Sequence, residues 1–200
     1  MYLPDAFRLD DRQTLLAHVN AHPFATVITH GEGGLAASHL PLLVDVQRHL
    51  LRGHLARENP QFGHFAAGAE VLAVFHGPHA YVSPSVYEEH PSVPTWNYVV
   101  VHVQGRGRLV DEPELRGILD DLVTHFDSTG WRLKAPEEYL RSTLAAIAGF
   151  EIPIERLEGK WKLSQNSSLN DQMRVATWLE SGDETSRAVA ALMRSRHSPG

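Results

Sequence analysis

The segment from Gly77 to Tyr98 constrains this chain more than any other. It carries four prolines and four aromatic residues, and it lies between two apolar runs, Val71-Leu-Ala-Val-Phe75 and Val99-Val-Val-His-Val103. Each proline fixes its own φ and restricts the residue before it. A stretch so punctuated, set between two strand-like runs, reads as a shaped loop that presents side chains. Its aromatics and amides suit a flat polar ligand better than a protein interior.

Around that segment the pattern is strands first and helices later. Asp11 is placed to cap a helix over about 12–21, with Leu15, Leu16 and Val19 on one face. Strands are expected over Phe24–Thr29, Leu35–Val44, Leu50–Leu55, Val71–Phe75 and Ala80–Ser83, with a hairpin turn at His30-Gly-Glu-Gly-Gly34. A long strand or a bent pair is expected over Thr95–Val110, with Gly105 and Gly107 as bulges. Asn59-Pro60 starts a short helix that turns Phe62 and Phe65 inward. Helices follow over Pro113–Phe126 and Pro136–Ala148, then a strand over Phe150–Leu163, then helices over Ser167–Glu180 and Glu184–Arg196. This order predicts an α+β domain built on an antiparallel barrel. Residues 1–166 make the domain and 167–200 a C-terminal helical extension.

Composition narrows the function. A net charge of −6 argues against broad nonspecific nucleic-acid binding, which needs clustered cations, so DNA is expected to bind only weakly. The chain has no cysteine, which excludes disulfides and thiolate metal sites. No apolar run reaches the roughly 18–20 residues of a membrane helix, and the N-terminus lacks the pattern of a signal peptide. No membrane association and a cytoplasmic location are therefore expected. The thirteen histidines show no metal-ligand spacing, and His76-Gly-Pro-His79 reads as a turn.

Four short segments carry chemistry, each with a structural reading beside the functional one. In Leu55-Ala-Arg-Glu-Asn-Pro60 a strand gives way to a helix start, where free N–H groups and Arg57 suit a phosphate, with His54 as a further donor. The alternative is an ordinary capped helix beside a surface arginine. In Ala37-Ser-His-Leu-Pro41 a proline breaks a strand and frees main-chain groups for a ligand, or else marks a plain edge strand. In Pro94-Thr-Trp-Asn-Tyr98 the rings can stack on a heterocycle and Asn97 can pair with its edge, or both aromatics belong to the core. Lys160-Trp-Lys-Leu-Ser-Gln-Asn166 places two of the three lysines at a strand end, where they can serve an anion or face solvent. No nucleophile elbow or spaced carboxylate pair marks a catalytic residue, so enzymatic activity is left open.

Taken in register, these segments resemble the PaiB-type family of FMN-binding negative transcriptional regulators. The matching motifs are Met1-Tyr-x-Pro-x-x-Phe7, Ala37-Ser-His-Leu-Pro41, Gly53-His-Leu-Ala-Arg57 with Asn59-Pro60, His79-Ala-Tyr-Val-Ser-Pro84, Val93-Pro-Thr-Trp-Asn-Tyr98 and Lys162-Leu-Ser-Gln-Asn166. Val86 departs from the pattern, which has an aromatic there. The family resembles the FMN-binding split barrels that include pyridoxamine phosphate oxidases. The resemblance implies a six-stranded antiparallel split barrel and a homodimer with FMN in its cleft. It implies the phosphate at His54, Arg57 and Asn59, and the ring along Ser38, His39 and Leu40. It also implies Lys162 and Gln165 closing over the ring, with Trp96, Asn97 and Tyr98 lining the cleft. A flavin-dependent oxidoreductase and a haem-binding relative are the competing readings.

Overall fold

Caps and prolines set most element boundaries in this chain. The computed structural model describes residues 1–131 and 134–197. Helix α1 (Arg12–Ala21) starts where expected, with Thr14 N donating to Asp11 Oδ2 at 2.8 Å. Asp111 caps α3 (Glu112–Phe126), Ser168 caps α5 (Leu169–Glu180) and Asp183 caps α6 (Glu184–Ser195), each accepting a main-chain N–H in the first turn. The other helices are the six-residue α2 (Gln61–Ala66) and α4 (Glu137–Ala145).

The α+β class with antiparallel sheets holds, and among the described residues ten strands group into a sheet of six and a sheet of four. The larger sheet contains β1 (Arg8–Leu9), β2 (Phe24–Gly31), β3 (Gly34–Pro41), β6 (Glu70–Val82), β7 (Thr95–Arg106) and β10 (Arg156–Lys162). The smaller contains β4 (Leu43–Asp45), β5 (Leu50–Ala56), β8 (Arg108–Leu109) and β9 (Ile147–Pro153), in the order β4-β5-β9-β8. Two expected strands are divided, and Thr95–Val110 takes the bent-pair form. Leu35–Val44 breaks after Pro41: Leu42 N still donates to Pro23 O as the next rung of the β2–β3 ladder, but Pro23 has no N–H to return and the pairing ends there. Phe150–Leu163 breaks after Pro153. Thr95–Val110 breaks at Gly107, where a Cβ would lie 2.4 Å from the Phe65 ring, so the glycine serves a close approach.

Two expected strands instead merge into one. Val71–Phe75 and Ala80–Val82 belong to the continuous β6, so the loop shrinks to 83–94, with Ser83 as its first residue. β2 pairs with β6 only over Val71–Val74, so the N–H that Pro78 lacks falls beyond that ladder. Helix α4 ends three residues early, because Ile147 and Ala148 join β9 opposite Ala56 and Leu55.

The chain divides into two compact units, each discontinuous in sequence. Unit 1 is made of Met1–Leu15, His76–Val101 and the described residues from Glu158 onward. Its core joins Ala80, Val82, Val86, Tyr87 and Val99 to Leu163, Val175, Leu179, Val189 and Met193. Val86, where the family pattern has an aromatic, is buried in this core. Unit 2 is made of Leu16–Phe75 and the described residues of His102–Leu157. There β3 pairs with β2, Leu43 packs on Ile118 and Leu122 of α3, and Phe65 stacks on Phe150 with centroids 4.2 Å apart.

Candidate functional site

The predicted binding residues separate cleanly between the units, and each set is built differently. In unit 2, β3 has a strand partner on one side only, so its outer edge carries main-chain groups that no strand pairs. Ser38 and Leu40 are half-buried on this strand and His39 is exposed. His39 lies opposite Thr26 in the ladder, with Nδ1 3.2 Å from Thr26 Oγ1. Asn59 Nδ2 donates to Ser38 Oγ at 2.8 Å, which ties the turn after β5 to β3.

The helix start differs from its sequence reading. Asn59 Oδ1 accepts the N–H of Gln61 at 2.9 Å, so one of the amides expected to face a ligand is already engaged. Phe62 is half-buried, and the residues packed inward are Phe65 and Gln61. The Phe62 ring instead carries the Arg57 guanidinium, 5.5 Å from its centroid. Arg57 N donates to Ala146 O at 2.9 Å, and Arg57 forms no ion pair among the described residues. His54 is pushed below its ordinary pKa by burial, and its Nδ1 has no hydrogen-bond partner among the described residues.

In unit 1 the set is aromatic, and its polar members are engaged internally. Trp96 is 52% exposed and meets Tyr81 edge-on at 5.9 Å and His79 at 6.2 Å. The strand alternation then turns Asn97 to the opposite face, where it is fully buried. Its Nδ2 donates to Ser164 Oγ at 2.9 Å, and Ser164 Oγ donates back to Asn97 Oδ1 at 3.2 Å. Asn97 is therefore buried in unit 1 with its amide engaged by Ser164. Tyr98 is half-buried beneath Lys160, whose Nζ lies 5.4 Å from the ring centroid.

The last motif also turns inward. Lys162 Nζ donates to Thr95 Oγ1 and, at 2.6 Å, to Trp96 O. Burial and then the Lys160 charge lower its pKa. Gln165 closes its own loop, accepting from Leu163 N at 2.6 Å and donating to Trp161 O. A depression of about 510 Å³ lies beside Lys162, Thr95, Ser164 and Asn166.

Sequence reasoning missed two supporting residues. Gln61 is fully buried, and its Nε2 lies 3.0 Å from Val27 O, 2.9 Å from Thr29 Oγ1 and 3.2 Å from Ala36 O. Nothing in its sequence marks a glutamine that fastens a six-residue helix to β2 and β3. Ser164 adopts φ 63°, a left-handed conformation uncommon outside glycine, and its pairing with Asn97 holds it there. The signal for Ser164 lay in the Lys-Leu-Ser-Gln-Asn motif itself.

Residues 1–156 match the family model described as "Putative FMN-binding domain". The chain is 34% identical to the protease synthase and sporulation protein PAI 2 of Bacillus subtilis, over 98% of both chains. This chain belongs to the FMN-binding PaiB-type family. A fungal relative, from Emericella nidulans, is 28% identical over 81% of this chain and 82% of its own. Among solved structures, the FAD and heme binding protein of Mycobacterium smegmatis is similar, with TM-score 0.65 and 18% identity over 83% of this chain and 78% of that one. The flavocytochrome Anf3 of Azotobacter vinelandii gives TM-score 0.66 and 17% identity, over 82% and 74%. At these identities the structures show a shared fold. The FMN-binding model spans every unit 2 candidate together with Trp96, Asn97 and Tyr98, while Lys162 and Gln165 fall beyond its end.

Proposed function

We propose that this member of the PaiB-type family binds FMN and acts as a flavin-holding negative regulator on a split-barrel scaffold. The observation that carries the reading is Arg57, which lines a depression of about 330 Å³ and has no ion-pair partner among the described residues. An unpaired guanidinium fits a phosphate through its paired N–H donors. The free edge of β3 at Ser38, His39 and Leu40 offers main-chain donors and acceptors to a heterocycle. His54 Nδ1, without a partner among the described residues, supplies a further polar contact in the same unit, while Asn59 braces the turn through Ser38 and Gln61. In unit 1 the exposed Trp96 and half-buried Tyr98 provide flat faces for a ring, with Lys162 and Gln165 bracing the loop beside them. A bound flavin would supply the electron-transfer chemistry.

The regulatory part of the reading rests on the family, and on the B. subtilis relative being described as a protease synthase and sporulation protein. The helix pair α5–α6 does not favour direct DNA reading. Val189, Ala190 and Met193 of α6 pack against Val175, Ala176 and Leu179 of α5, so one face of the second helix is covered within unit 1. With net charge −6, nonspecific DNA contacts stay few.

A homodimer belongs to this proposal, as the family resemblance implies. Val71–Phe75 and Val99–Val103 are largely buried within the chain itself and add nothing to such an interface. The exposed cluster of His79, Tyr81 and Trp96 is the surface that a second copy would cover. Visible spectra of the purified protein titrated with FMN, FAD, riboflavin and haemin, with light scattering alongside, test the proposal. FMN should saturate with altered flavin bands, bind more tightly than riboflavin, and accompany a mass about twice that of the chain. A haem spectrum with no flavin binding would overturn it.

A further inference from the structure

Helix α4 brings a second cation to the phosphate end of the proposed flavin site. The depression that holds Arg57 is also lined by Arg141 of α4 and by Asp111 and Glu112 at the start of α3. Both acids are engaged elsewhere. Asp111 Oδ1 accepts from Glu114 N at 2.9 Å, and Glu112 is bridged by Arg116 at 2.8 Å. Neither Arg57 nor Arg141 has a carboxylate at ion-pair distance among the described residues. The bond from Arg57 N to Ala146 O fastens the Arg57 turn to the residue that ends α4. Both guanidinium-bearing elements are thereby fixed beside one hollow in unit 2.

We propose that Arg141 is a second phosphate-binding residue, forming with Arg57 a two-guanidinium clamp for a phosphomonoester. This inference rests on the reading of Arg57 given above. A phosphomonoester carries roughly −1.5 to −2 charges near pH 7, more than one arginine neutralises. Two planar guanidinium groups can each donate in pairs to its oxygens. Arg116 offsets Glu112, which leaves Asp111 as the lone unbridged carboxylate of the lining against two arginines.

The test titrates FMN and riboflavin against wild type, Arg57→Ala, Arg141→Ala and Arg141→Lys, followed by flavin fluorescence. Thermal shift with inorganic phosphate alone gives a second readout. Arg141 is exposed, so its variants should keep the wild-type circular dichroism. Arg141→Ala should weaken FMN about 10-fold, the loss of one charge-assisted contact, and leave riboflavin unchanged. Arg141→Lys should fall between, keeping the charge without the fork. Phosphate should stabilise wild type more than either alanine variant. If Arg141→Ala binds FMN like wild type while Arg57→Ala does not, the clamp is overturned and the Arg57 reading stands. If both variants bind FMN like wild type, the phosphate lies elsewhere and both fall. If wild type binds no flavin, the flavin reading fails, and the phosphate shift alone decides whether the two arginines form an anion site.

Discussion

Unit 1 and unit 2 each hold part of the expected binding set, but they use polar side chains in opposite ways. In unit 1 the amides and the cation face inward: Asn97 pairs with Ser164, Gln165 closes its own loop, and Lys162 is held by Thr95 and the Trp96 carbonyl. Rings are what that unit exposes. In unit 2 the guanidinium of Arg57 and the buried Nδ1 of His54 have donors or acceptors to offer, and the edge of β3 adds main-chain groups. A residue type that looks equally ligand-like in both stretches is thus structural in one and available in the other. Hydrogen-bond capacity already used inside a unit, rather than residue identity, separates the two cases.

The sharpest way to break this contrast is Asn97→Ala. It leaves the buried Ser164 hydroxyl unpaired and opens a small cavity, so it should cost about 2–4 kcal/mol in urea unfolding. FMN affinity of the remaining folded protein should stay near wild type. A loss of FMN binding with unchanged stability would move Asn97 to the ligand side.

Arg57→Ala should do the reverse. FMN should weaken about 10–100-fold, or about 1.4–2.8 kcal/mol, with riboflavin binding and the unfolding midpoint almost unchanged. Equal loss of both flavins would show that Arg57 supports the fold instead.

Acid should sharpen the contrast through His18. It is 9% exposed, and burial together with nearby His22, whose ring centroid lies 4.4 Å away, lowers its pKa from 6.5 to about 4. Because the folded value lies below the unfolded one, the unfolded chain takes up the proton first. Its contribution to stability is complete above about pH 6.5 and declines as the pH falls toward about 4, on the order of 2 kcal/mol in total. Burial depresses His22 and His54 in the same direction, and both are also in unit 2. Hydrogen exchange at pH 5 should therefore loosen β2, β5 and α1 before α5 and α6. His18→Gln should flatten the slope, and an unchanged slope would remove His18 as its source.

The smallest effect is expected from Trp96→Ala. Losing one stacking face should weaken FMN and riboflavin equally, by about 0.5–1.5 kcal/mol. A selective loss of FMN would instead tie Trp96 to the phosphate.

The legible parts of the chain were the local ones. Asp11 as a cap, the amphipathic Leu115, Ile118 and Leu122, and the boundaries of α5 and α6 all follow from spacing and capping within a few residues. Sheet membership was not legible. Pro41 and Pro153 mark places where the chain leaves one sheet for the other, and that choice depends on partners far away in sequence. Pro78 looks the same in sequence yet does not end β6, and it lies beyond the β2 ladder, which stops at Val74. In the candidate set, the motif carrying Trp96, Asn97 and Tyr98 was visible, but which face Asn97 takes depends on strand parity that only the folded sheet fixes. Gln61 gave no signal, because its three acceptors come from β2 and β3.

The discontinuity of the two units has a consequence for synthesis. All the segments of unit 2 have left the ribosome once Leu157 emerges, whereas unit 1 still awaits the stretch from Glu158. Until Val189 and Met193 arrive, Ala80, Val82 and Val99 lack the cover they have in the finished core. Because a chain emerges N-terminus first, the exposed rings of unit 1 and its unfinished interior coexist on the nascent protein. That interval is when a holdase chaperone would have most apolar surface to grip, and when a premature stop in α5 would leave unit 1 without its last layer.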